Sequence, residues 1–247
     1  MQIPVNDTHF FIGFPVLIGL ALDTYMRYKK TGNISTLYIS LGSLFLGLGS
    51  FFWAVPSLFT SDPKTLSYFT LVADSFQALF FLMLWLLAIR AFFSTNKLLK
   101  IFMYIFVYSI TFASILQSTY RTVISPYTTY IVELSSNTYD IVFKDTTYYY
   151  FFAAINSISL ILLGVYFLRN ANSSTSSSQR TRIKAMSLIF ILGSLVFIAV
   201  PAVPFGTNIN LEDRTISIIY VIVLIVLLIS TMSRVLNRKK TIPRIPS

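Results

Sequence analysis

Among 247 residues there is no cysteine and one histidine, His9. Without a thiol the chain has no disulfide, no thiolate metal centre and no cysteine nucleophile. A single histidine near the N-terminus also excludes any multi-histidine metal site. Charge is scarce: 11% of the residues are charged, where a soluble domain carries about 25%. Acids are the scarcer sign, nine against nineteen basic residues. No P-loop and no glycine-rich dinucleotide fingerprint occurs, so nucleotide phosphates have no backbone cradle. No constellation of base, nucleophile or metal ligands is legible at membrane depth. The sequence therefore predicts a non-enzymatic protein without cofactor or metal.

What the chain has in abundance is apolar surface. Hydrophobic residues make up 55% of it, and the mean hydropathy is +0.72. Seven apolar segments stand out, at about 10–26, 37–59, 68–93, 98–118, 148–168, 185–205 and 215–236. Each has roughly the 20 residues that an α-helix needs to cross a bilayer. The expectation is a single all-α domain over 1–247, a seven-transmembrane-helix bundle. The first nine residues lack a basic stretch and no A-x-A-type exit follows. The first apolar segment is accordingly read as a retained span rather than a signal peptide.

Orientation follows from the basic residues. With seven alternating spans, fifteen of the nineteen fall on one side; Lys64, Arg121, Lys144 and Arg214 are the four on the other. The positive-inside rule puts the larger set in the cytoplasm, hence the N-terminus outside and the C-terminus inside a cell membrane. The formal charge of +10 is thereby read as loop orientation, not as a nucleic-acid surface. Seven of the nine acids lie on the outer side, and no cytoplasmic loop holds one.

The loop between spans four and five alternates apolar and polar residues over 129–134 and 139–144, on either side of Ser-Ser-Asn-Thr. That pattern predicts a β-hairpin lying over the outer mouth. The cytoplasmic stretch 171–180 is serine-rich, with the composition of a flexible connector. Two short similarities suggest a 3+1+3 repeat: Phe10-Phe11 with Tyr25 matches Phe151-Phe152 with Tyr166, and Leu41-Gly-Ser-Leu44 matches Leu192-Gly-Ser-Leu195. Along the second span, Ser40, Ser43, Gly47 and Ser50 recur on one face, which lets a neighbouring helix approach closely.

Ionisable groups inside a membrane are expensive and by default point to function. Asp23 has the bland explanation of an i+4 partner, Arg27. Asp74 lies about two turns below the outer surface, with Gln77 on its face. Gln117, Asn156 and Tyr220 fall at similar depth in spans four, five and seven, and Trp53 lies just below Pro56 in span two. Convergence of these faces would make an outer-third polar pocket for a small-molecule ligand, with Arg121 as counter-ion to Asp74. The seventh segment contains no lysine, so a retinal Schiff base has no anchor.

Two functions from different classes fit. One is a receptor or sensor that binds a ligand under the hairpin and passes a helix shift to the cytoplasmic face. Its basic tail, Arg238 to Arg244, would dock a cytoplasmic protein or anionic lipid. The other is a small-solute or lipid transporter built from two three-helix units, which would carry its polar site near the midplane. A third reading is a structural subunit of a membrane complex. In all three the surrounding lipid is a partner.

Overall fold

The computed structural model describes residues 8–56, 59–60, 62–93, 96–124, 129–135, 138–143, 147–172 and 177–199. The seventh apolar segment, Tyr220 and the basic tail lie outside them. Six α-helices are described: α1 Thr8–Thr31, α2 Ile34–Ala54, α3 Pro63–Phe92, α4 Lys97–Thr119, α5 Thr147–Asn172 and α6 Ser177–Ala199. A π-helical turn, Tyr120–Ile124, continues α4. Strands β1 (Thr129–Ser135) and β2 (Thr138–Phe143) pair antiparallel, Ile131 opposite Ile141. Among the described residues, four helices are long and apolar enough to cross a membrane: α2, α3, α4 with its π turn, and α5.

Local chemistry sets the helix ends. Gly32 adopts φ +64° and its N–H donates to Tyr28 O at 2.8 Å, the left-handed stop that glycine accommodates without a Cβ clash. The next residue, Asn33, caps α2 by accepting from Ser35 N at 3.0 Å. A two-residue link thus turns α1 back onto α2. Asp62 caps α3, its Oδ2 accepting from Thr65 N at 2.9 Å and from Thr65 Oγ1 at 2.5 Å, with Pro63 in the first turn. Asn96 caps α4 through Leu99 N at 3.0 Å. Each is a short polar side chain satisfying a backbone donor that the helix leaves open.

Several boundaries differ from the apolar segments. α2 stops at Ala54, two residues before Pro56, whose ring nitrogen has no N–H to continue the helical hydrogen bonds. α3 starts five residues before the apolar run, since its cap lies in polar sequence at Asp62. α5 reaches Asn172 and α6 begins at Ser177, so both ends of the serine-rich stretch 171–180 are helical, and residues 173–176 between them lie outside the described residues.

α3 is the central element, packing against α2, α4 and α5. From Phe81 to Ile89 every residue is buried, as expected where a helix is apolar all round. Leu84, Leu87 and Ala88 meet Leu160 and Leu163 of α5, while Trp85, Leu86 and Ile89 meet Val107 of α4. α2 joins from the other side through its glycines. A methyl group on Gly47 would stand 3.1 Å from Ile18 of α1, and one on Gly42 3.4 Å from Met83 of α3. Ser40 Oγ, on the same stripe as Gly47, donates to Ala21 O of α1 at 2.7 Å. α5 and α6 pack alike, with Ser187 Oγ donating to Gly164 O at 2.7 Å.

Candidate functional site

Three helix faces converge on one small cavity of about 50 Å³. From α3 come Asp74, Gln77, Ala78 and Phe81, spaced i, i+3, i+4, i+7 and hence one stripe. α4 presents the same spacing with Ser114, Gln117, Ser118 and Arg121, the last of these on the π-helical turn. α5 adds Phe152 and Asn156, one turn apart.

At its centre is an ion pair. Arg121 donates through a terminal guanidinium nitrogen to Asp74 Oδ2 at 2.7 Å, with both side chains largely buried, 8% and 16% exposed. Ser118 Oγ donates to the same carboxylate oxygen at 3.1 Å. Paired charges and a third hydrogen bond are what make a buried carboxylate tolerable. A π-helical turn inserts an extra residue per turn and is found mostly where a helix serves a site. Here it forms the segment that carries Arg121 across to α3.

The amides of the lining are in a different state. The side chains of Gln77, Gln117 and Asn156 make no hydrogen bond with any described residue. Asn156 is 8% exposed. Its carboxamide lines the open space of the cavity, where water or solute can meet its donors and acceptor.

Of the residues singled out from sequence, Asp74, Gln77, Gln117, Asn156 and Arg121 line this one cavity. Trp53 does not; it lies on α2, whose main contacts are with α1 and α3. Tyr220 lies outside the described residues. Sequence reasoning missed Ser118, which bonds Asp74, and also Ser114, Phe81 and Phe152. The repeat of Ser114, Gln117, Ser118 and Arg121 along one stripe of α4 was the available signal. Both strands of the hairpin come against α3.

The second ion pair, Asp23 with Arg27 at 2.7 Å, is intrahelical on α1 and does not line this cavity. Among the described residues no three metal-ligating side chains come together. Compared with family models, curated proteins and solved structures, the chain matches none.

Proposed function

We propose that the chain is a seven-helix membrane protein of receptor or sensor type, taking a small ligand into the polar cavity between α3, α4 and α5 from the outer side. The observation that carries this reading is the buried Asp74–Arg121 pair at a cavity whose amides are unpartnered within the described protein. Charges inside a membrane are retained where they serve a site.

Depth supports it. The 30 residues of α3 make a rod of about 45 Å, while the hydrocarbon core is about 30 Å thick. With the excess shared between both ends, Asp74 lies about 9 Å inside the outer boundary. Orientation is supported by where described cations stand. Lys29 and Lys30 end α1, Arg90 ends α3, Lys97 begins α4 and Arg169 ends α5. In an alternating bundle all of these share the cytoplasmic end. The segment 215–236 is the seventh span on this reading, and the hairpin β1–β2 is the roof of the outer mouth.

The test is ligand-dependent stabilisation. In a screen of small polar solutes against the full chain in nanodiscs, a ligand of this site raises the thermal midpoint of wild type. In Asp74→Asn that rise is lost while the variant still folds. A ligand that stabilises both proteins equally binds elsewhere and overturns the reading.

A transporter of 3+1+3 organisation is the second reading. Its supporting observation is the matched pair of helical hairpins, Ser40 to Ala21 O in one and Ser187 to Gly164 O in the other. Concentrative uptake of the ligand into sealed proteoliposomes would favour it; binding without uptake favours the receptor.

A further inference from the structure

The charge, chemistry and size of the cavity bear on what it takes in, given the proposed reading of it as a ligand site. Charge comes first. Asp74 and Arg121 are closed on each other at 2.7 Å, so the lining is neutral as a whole. A cation entering would be set against the Arg121 guanidinium and an anion against the Asp74 carboxylate. In a poorly solvated site either repulsion adds to the cost of desolvating the newcomer. The pair therefore screens out ions of both signs.

The remaining polar groups select positively. Gln77, Gln117 and Asn156, one on each helix, each bring an N–H donor and a C=O acceptor side by side in a plane. Asn156 is more than nine-tenths buried, and its side chain makes no hydrogen bond with a described residue. A group that answers donor with acceptor at two adjacent points is another amide or a urea. An alcohol or ether offers one centre and leaves half of each carboxamide unsatisfied. Size closes the argument. A water needs about 10–15 Å³ of such space, so 50 Å³ admits about three or four non-hydrogen atoms.

We propose that the solute taken by this cavity is an uncharged amide- or urea-type molecule of about four non-hydrogen atoms, held by the carboxamides of Gln77, Gln117 and Asn156 beside the closed Asp74–Arg121 pair.

Two isosteric pairs test it, since each pair keeps shape and changes charge: acetamide with acetate, and urea with guanidinium. Saturation-transfer NMR on the full chain in nanodiscs reads the methyl signal of acetamide or acetate. The expected result is a saturable acetamide signal that urea displaces and guanidinium does not, with none from acetate. The signal should fall at least fivefold in Asn156→Leu and in Gln117→Leu, whose thermal midpoints report whether each variant has folded.

Asn156-dependent binding of acetate or guanidinium overturns the solute class but leaves the ligand site standing. Equal signals in wild type and both folded variants overturn the placement. No saturable signal from acetamide overturns the inference and leaves a water-filled cavity. The receptor reading fails separately, when no ligand from the wider screen loses its stabilising effect in Asp74→Asn.

Discussion

Arg121 is the residue on which the site turns, and its energetics are testable. A buried ion pair contributes little net stability, because desolvation of both partners offsets their attraction, yet removing one partner leaves the other charge stranded. Arg121→Met should therefore destabilise the protein by about 3–5 kcal/mol, whereas Asp74→Leu/Arg121→Met should recover most of that loss. Unfolding free energies in lipid or mixed micelles, read as a double-mutant cycle, check the pattern. Equal losses in single and double variants would mean the pair is not isolated from water. At the outer end of α3, the two bonds from Thr65 hold the Asp62 carboxyl below its ordinary range. Its folded pKa is the lower one. The cap therefore contributes stability above the unfolded value of about 3.9 and loses it as the pH falls further. Thermal midpoints of wild type against Asp62→Ala should converge with acidification in that window. At this scale the sequence shows Asp74 and Gln77 as polar residues on an apolar helix. It does not show that Ser118 bonds the carboxylate, since serine is common in spans and its partner is 44 positions away.

Among the elements, the two helical hairpins make the sharpest contrast between glycines. A methyl on Gly164 of α5 would stand 2.6 Å from Ile191 Cγ1 and 3.3 Å from Ser187 O. Gly164→Ala must push α6 away and should cost about 1–3 kcal/mol. Gly19 of α1 has nothing within 4 Å of such a methyl, so Gly19→Ala should be neutral or gain roughly 0.5–1 kcal/mol of helix preference. Thermal midpoints of the two variants decide it. Hydropathy locates apolar helices well because burial in lipid or protein asks for the same residues. It places their ends poorly, because ends are set by caps such as Asn33, Asp62 and Asn96, which sit in polar sequence. Nor does it separate a helix facing its neighbours from one facing outward. α3 and α4 read alike as apolar runs, yet the spanning window of α3 is 56% buried and that of α4 is 6% buried.

For the whole molecule, orientation and site are linked. On the proposed orientation, the alternation that gathers the basic residues at one end puts Asp74, Gln117, Asn156 and the hairpin toward the other. The absence of native cysteine makes that link accessible to a clean measurement. Gln117→Cys places a thiol in the lining of the cavity, on α4 one turn before Arg121. In sealed cells a small membrane-impermeant thiosulfonate added outside should modify it, and in inverted vesicles the same reagent should not. Modification only from the cytoplasmic face, or from neither, would contradict a ligand cavity that opens to the outside.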